Sequence, residues 1–198
     1  MNTASRLSEI KRQTKETDIK LSLNIDGAGS ADIKSGVPFL DHMLTLFTVH
    51  GFFDLHITAS GDTNVDDHHT VEDIGICLGQ AFAQALDGYK SIRRYGFSAV
   101  PMDETLVRVT CDFSNRPYLH YGAQVKDQKV GSFDTALVQE FLRAFTLNAG
   151  LTLHVEAVHG ENTHHILEAI YKALGRCLDA ATKIEPRTSG ALSSKGSL

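Results

Sequence analysis

A six-residue pattern occurs twice in this chain of 198 residues. Residues 68–73 read HHTVED and residues 164–169 read HHILEA. Each copy is His-His-x-x-Glu, and each is followed by apolar residues at helical spacing. Residues three and four apart share one face of a helix, so each glutamate lies beside the histidines that precede it. The repeat therefore predicts two equivalent helix starts.

The similarity extends well beyond the histidines. Residues 52–57 (FFDLHI) match residues 150–155 (GLTLHV) at an offset of 98, and Phe47 falls on Phe145 at the same offset. The histidine pairs are offset by 96, which places a two-residue difference in the intervening turn. An internal duplication is the simplest explanation.

Each repeat has the order strand, strand, helix, strand, helix. A unit of about 90 residues is too small to close a good core alone, so we expect the two to pack together. We predict an α+β fold of two pseudo-symmetric halves, forming a sheet layer packed against helices. Residues 1–183 would be a single domain with repeats at about 10–92 and about 93–183. Residues 184–198 would be a tail, whose Ser, Gly, Thr and Lys content is typical of disorder.

The composition excludes several classes of protein. The net charge is −5 and no basic block is present, so a nucleic-acid partner is not expected. No apolar stretch reaches membrane-spanning length, and the polar first 17 residues lack a signal-peptide core. Cys77, Cys111 and Cys177 form no CxxC pair and indicate reduced thiols. We expect a cytoplasmic protein with no membrane partner.

Imidazoles and a carboxylate that converge at a helix start are typical of a Zn, Mn, Fe or Ni site. For one copy, a capped helix with solvated histidines is an equally good interpretation; two copies favour metal. The duplication also pairs His42, on a predicted helix that begins at Pro38, with Glu140 in the second half. Asp66 and Asp67 could cap the first helix or orient its imidazoles.

Anion-binding candidates are less distinctive. Arg93, Arg94 and Arg116 carry guanidinium groups that can bind phosphate oxygens in pairs, although each also fits an ordinary surface arginine. Glu16, Asp103 and Glu104 are carboxylates at element ends and are unremarkable in isolation.

Several motifs together resemble the imidazoleglycerol-phosphate dehydratases of histidine biosynthesis. The resemblance covers essentially the whole chain and is carried by residues 12–17, 39–43, 67–73, 114–117, 160–165 and 194–196. It implies a large octahedral homo-oligomer of about 24 subunits, with two manganese ions (Mn2+) per active site and sites at subunit contacts.

The resemblance also implies residue roles. Family metal ligands are matched by His42, His68, His69, Glu72, His164, His165 and Glu168. Many members have a histidine where this chain has Glu140, so that ligand is either a carboxylate or missing here. Phosphate and substrate contacts are matched by Arg94, Arg116, Ser193 and Lys195. Glu16 matches a catalytic carboxylate, and Glu168 is the second candidate for that role. Thr45 and Leu46 stand where members often have Asp-Gln, so side-chain contacts from these positions are not expected.

The implied reaction converts imidazole glycerol phosphate to imidazole acetol phosphate. The proton to be removed is on carbon and no carbonyl acidifies it. Metal on the imidazole would favour the imidazolate, which can expel the adjacent hydroxyl through a diazafulvene-like intermediate. A carboxylate would move the remaining proton. The residues alone leave two alternatives, a metal-storage protein and a metal-dependent hydrolase of a phosphorylated or sugar substrate. The arginines, Lys195 and Glu16 speak against storage, which needs no phosphate contact.

Overall fold

The computed structural model describes residues 6–188, 190–196 and 198. This part of the chain contains four helices and ten strands. The helices are α1 (Pro38–Gly51), α2 (His68–Ala85), α3 (Leu137–Asn148) and α4 (Thr163–Thr182). The strands are β1 (Leu7–Gln13), β2 (Thr17–Asn24), β3 (Ala31–Lys34), β4 (Asp54–Gly61), β5 (Tyr95–Met102), β6 (Thr105–Asp112), β7 (Tyr118–Gly122), β8 (Lys129–Val130), β9 (Phe133–Asp134) and β10 (Thr152–His159).

Each half forms its own four-stranded sheet with the same topology. The strand orders are β1-β2-β4-β3 and β5-β6-β10-β7. In both sheets the third strand pairs antiparallel with the second and parallel with the fourth. The predicted α+β fold and duplication are confirmed, and each half contributes its own four-stranded sheet.

The four-stranded sheet of each half has one strand more than the sequence predicts, the edge strand β1 or β5. The second half also contains the unpredicted two-residue strands β8 and β9, which pair with each other. In β1 the sequence LSEIKRQ buries Ser8 and leaves Leu7 exposed, so it lacks the apolar alternation that identifies a strand. In β5, Tyr95 and Phe97 are exposed and Pro101 suits an edge position.

The two halves pack through their helices, and glycines permit the close approach. A Cβ on Gly79 of α2 would lie 2.6 Å from the carbonyl oxygen of Phe145 in α3. A Cβ on Gly175 of α4 would overlap the carbonyl oxygen of Phe47 in α1. These two contacts are related by the duplication. Helices α2 and α4 carry the histidine pairs in their first turns. Each of them therefore packs against the shorter helix of the other half.

The core is apolar and contains the cysteines. All three cysteines are free and buried, and burial raises the pKa of the Cys77 thiol to about 11. Within the described residues, no helix combines the length and apolar character needed to span a bilayer.

The tail is held along the start of the second half. The amide of Glu185 donates to the carbonyl of Ser91 at 2.8 Å, and the amide of Ser91 donates to that of Gly190 at 2.9 Å. The described tail residues therefore form regular backbone hydrogen bonds, although their composition is typical of disorder.

Candidate active site

The start of α4 and the side of α1 form one cluster of ligand-type atoms. We call His42, His164 and Glu168 the α1–α4 cluster. One ligand atom from each residue lies within 4.8 Å of the others. A Glu168 oxygen is 3.3 Å from His164 Nε2 and 3.7 Å from His42 Nε2. The helix packing thus joins His42 of one half to the histidine pattern of the other.

Local structure fixes the first turn of α4. The Asn162 side chain caps the helix by accepting from the amides of His164 and His165, at 2.9 and 3.4 Å. The Phe39 ring packs edge-on against the His164 ring, with centroids 5.5 Å apart. His164 and Glu168 are four residues apart and therefore share a helix face.

Sequence reasoning missed Lys172, whose ammonium lies 2.5 Å from the other Glu168 oxygen. Burial of Glu168, whose side chain is 11% exposed, opposes its ionisation. The Lys172 hydrogen bond and charge, with a smaller contribution from His164, outweigh that effect and lower the pKa of Glu168. The sequence could have predicted this ion pair, because Glu168 and Lys172 are four residues apart on a helix. Glu168 is therefore held as a carboxylate.

The matching α2–α3 cluster, His68, Glu72 and Glu140, is more open. His68 Nε2 lies 3.7 Å from a Glu72 oxygen. Glu140 lines the same cavity as His68, of about 720 Å³, as its position in the duplication predicts. The Glu140 carboxylate is 2.9 Å from Arg143, and among the described residues it does not join His68 and Glu72 in a compact ligand group.

The second histidine of each pattern is oriented differently from the first. The rings of His68 and His69 lie at 88°, and those of His164 and His165 at 87°. His69 Nδ1 is 3.1 Å from Asp62, and His165 Nδ1 is 2.7 Å from Glu104. In each half, the Nδ1 atom of the second histidine therefore contacts a carboxylate outside the repeated pattern.

These carboxylates shift the pKa values of both imidazoles. The hydrogen bond to Asp62 raises the pKa of His69, and the one to Glu104 raises the pKa of His165. The Asn162 amide, followed by His165 and the Glu161 amide, lowers the pKa of Glu104 well below its ordinary range. Each carboxylate therefore stabilises the protonated form of the imidazole that it contacts.

Within the described residues, neither Asp66 nor Asp67 forms a recorded contact with an imidazole ring. Asp66 accepts a hydrogen bond from the His68 amide at 2.8 Å and so supports the helix start. Asp67 occupies the N-cap position of α2 without a side-chain capping bond. The orienting contact comes instead from Asp62, at the end of β4.

The predicted phosphate contacts lie together in a second cavity. This cavity has a volume of about 1130 Å³ and is lined by Arg94, Arg116, Ser193 and Lys195 among others. Arg94 is buried, bound to both oxygens of Asp112 at 2.6 and 2.9 Å, and donates to the Leu192 carbonyl. It thereby links the tail to the sheet.

Arg116 differs from Arg94 in being accessible. Its side chain is 68% exposed and its nearest carboxylate, Asp112, is 3.9 Å away. The Ser114 hydroxyl accepts from the Arg116 amide at 3.1 Å, which fixes the backbone at this point. Arg116 is therefore the more available of the two guanidinium groups.

Glu16 lies beside the α2 histidines. Its backbone carbonyl accepts from the Asp62 amide at 3.1 Å, and its negative charge contributes to the raised pKa of His69. Among the described residues, none hydrogen-bonds to its exposed carboxylate.

Comparison with known proteins agrees with this arrangement. The family model of imidazoleglycerol-phosphate dehydratase matches residues 35–178. Similar curated proteins are the imidazoleglycerol-phosphate dehydratases of Desulfotalea psychrophila, 61% identical over 195 residues (98% of this chain and 97% of that one), and Bacillus subtilis, 58% identical over 193 residues (98% and 100%).

Two solved structures extend the comparison. The imidazoleglycerol-phosphate dehydratase of Staphylococcus aureus is 44% identical with a TM-score of 0.82, covering 90% of this chain and 99% of that one. The Pyrococcus furiosus enzyme, in complex with (S)-C348, is 39% identical with a TM-score of 0.83, covering 96% and 100%.

The duplicated fold and these matches place the chain among the hydro-lyases of amino-acid biosynthesis. It belongs to the imidazoleglycerol-phosphate dehydratase family, whose enzymes act in histidine biosynthesis.

Proposed function

We propose that this chain dehydrates imidazole glycerol phosphate to imidazole acetol phosphate, using two manganese ions per active site. The α1–α4 cluster is the observation that carries the proposal. Two imidazole nitrogens and a carboxylate oxygen lie within 4.8 Å of one another. A ligand group of this kind suits a divalent transition metal.

The donor set fits manganese. His42, His164 and Glu168 would hold one ion, and the α2–α3 cluster of His68, Glu72 and Glu140 would hold the other. His69 and His165 would complete the ligand shells. When bound, the metal would supply positive charge at the substrate imidazole, which would favour its deprotonated form.

Subunit contacts would complete the active site. His69 and His165 direct their Nδ1 atoms to Asp62 and Glu104, which belong to neither the α1–α4 nor the α2–α3 cluster. The cavity that contains Arg116 and Lys195 is lined by none of the histidines. Neighbouring copies in a large homo-oligomer, an octahedral 24-mer in the proposal, would bring these separate groups together.

Arg94, Arg116, Ser193 and Lys195 would bind the phosphate. Ser193 and Lys195 form a turn in which the Lys195 amide donates to the Ser193 hydroxyl at 3.2 Å. Arg94 holds this tail through the carbonyl of Leu192. The cavity thus combines one accessible guanidinium with an ammonium on a positioned turn, both suited to a phosphate ester.

A direct assay tests the function. Purified protein is incubated with imidazole glycerol phosphate with and without added manganese, and acetol phosphate product is followed by ultraviolet absorbance. Product formation that depends on manganese is expected. If the protein instead releases inorganic phosphate from ester substrates and forms no acetol product, the proposal is wrong and a hydrolase is indicated.

The Arg116→Ala variant is expected to bind substrate more weakly. It loses a charge-assisted phosphate contact worth about 1.5–3 kcal/mol, so KM should rise roughly tenfold to a hundredfold with a smaller change in kcat. Steady-state kinetics measure the effect. The control is Arg108→Ala, an exposed arginine on β6 outside the cavity, which should leave KM unchanged. Equal KM values for both variants would exclude Arg116 from phosphate binding.

Activity and metal content are expected to fall together as the pH drops below about 6. Imidazoles must be neutral to bind metal, and their unperturbed pKa is about 6.5. Raised pKa values at His69 and His165 mean that protons compete from a higher pH than for a free imidazole. Metal analysis and initial rates are measured on the same samples. Full metal content at about pH 5 would contradict histidine ligation.

A further inference from the structure

The duplication makes Glu104 the counterpart of Glu16. Leu21 lies opposite Ile57 in the first sheet, and Val109 lies opposite Val155 in the second. Strand β2 therefore matches β6, and the residues directly before Thr17 and Thr105 occupy equivalent turns. Those residues are Glu16 and Glu104.

The two glutamates make different contacts. Glu104 Oε1 accepts from the amides of Glu161 and Asn162, at 3.1 and 2.9 Å, where the chain enters α4. Its Oε2 accepts from His165 Nδ1 at 2.7 Å. Both oxygens of Glu104 are thus committed to the start of α4.

In the first half, a different residue makes the histidine contact. Asp62 places its two oxygens 3.2 and 3.1 Å from His69 Nδ1. Glu16 contacts Asp62 only through the backbone, and within the described residues its carboxylate has no hydrogen-bonding partner. In the second half, Glu104 in the turn before β6 contacts the histidine. In the first half, Asp62 at the end of β4 makes the equivalent contact.

The contact determines the tautomer of each imidazole. An ionised carboxylate can only accept, so Nδ1 must carry the proton. In a neutral ring Nε2 then carries the lone pair that a metal requires. The nearest recorded group on that side of His165 is an Asp103 oxygen, 3.8 Å from Nε2 and beyond hydrogen-bond range.

We propose that Glu104 and Asp62 are positioning residues that hold His165 and His69 in the tautomer that binds metal through Nε2. Because Asp62 makes this contact in the first half, Glu16 keeps an uncommitted carboxylate for the substrate. This inference rests on the proposed metal-dependent function. It assigns different roles to two glutamates that descend from one position.

The Glu104→Gln variant tests the proposal with little change of shape. The amide oxygen can still accept from the amides of Glu161 and Asn162, so the NH2 group must face His165. That group can only donate, which forces the proton onto Nε2 and blocks metal ligation. We expect manganese affinity to fall by about tenfold to a hundredfold. Competition with a graded chelator, followed by metal analysis, measures this fall.

Asp62→Asn is expected to cause a smaller loss. Both Asp62 oxygens face His69 Nδ1, so the asparagine can turn its carbonyl oxygen toward that nitrogen and keep an accepting contact. Glu161→Gln is the matched control, since it removes an exposed charge beside Glu104 without a recorded side-chain contact. It should keep wild-type affinity.

A double-variant cycle separates positioning from a general effect on the fold. Glu104→Gln should reduce manganese affinity in the wild type and have no further effect in a His165→Ala background. The metal-free thermal midpoint should stay close to that of the wild type. Equal losses in both backgrounds, or wild-type affinity in Glu104→Gln, would overturn the proposal. If the wild type itself binds no manganese, the proposed function fails instead.

Discussion

Removal of divalent metal from the purified protein is expected to abolish dehydration and to break a large homo-oligomer into smaller species. The ligand-type residues lie in separate groups, with His42, His164 and Glu168 together and with His69 and His165 beside Asp62 and Glu104. Metal that joins such groups across subunits would contribute directly to assembly. Size-exclusion chromatography before and after chelation measures the change in size, and the product assay measures the loss of activity.

Manganese addition after chelation supplies the control, because it should restore both the large particle and the activity. A His165→Ala variant should be impaired in assembly even when metal is present, whereas Glu161→Gln should assemble normally. A large particle that stays intact while fully metal-free would show that assembly does not depend on metal. The two readouts are separable, since activity could still be lost from such a particle.

The duplication was readable from the sequence because it repeats apolar positions as well as histidines. Matches such as Phe47 with Phe145 predict equivalent helices, and the buried positions of both residues confirm it. The same matches also predict that His42 and Glu140 are equivalent. Which helices pack together depends on contacts between halves, and those follow from glycines such as Gly79 and Gly175 that the sequence pattern does not single out.

The edge strands could not be predicted by the same reasoning. An edge strand such as β1 has little apolar surface to bury, so its pattern resembles that of a polar segment. The histidine pattern, in contrast, was evident in the sequence. It named candidate ligands but did not give the direction of each side chain, since successive helical positions point about 100° apart. The carboxylates opposite His69 and His165 come from distant loops, so only the fold reveals them.

Glu16→Gln is expected to lower kcat by about a hundredfold or more while KM and metal content change little. The substitution keeps the shape of the side chain and removes its titratable group. Of the carboxylates near the histidine patterns, Glu168 and Glu104 are committed to other contacts. Lys172 holds Glu168 ionised, and Glu104 is bound on both oxygens. Glu16 is exposed beside His69, free to give and accept a proton at a substrate carbon.

The comparison with Glu104→Gln makes the test decisive, because the two variants change equivalent positions in the duplication. Glu16→Gln should lose turnover and keep manganese, whereas Glu104→Gln should lose manganese affinity first. Glu9→Gln, an exposed carboxylate on β1, should lose neither. The Glu16 variant should also retain unreacted substrate in the site, which crystallography with substrate would reveal. If its kcat is close to that of the wild type, proton transfer must be assigned elsewhere, and Glu168 becomes the leading candidate despite its ion pair with Lys172.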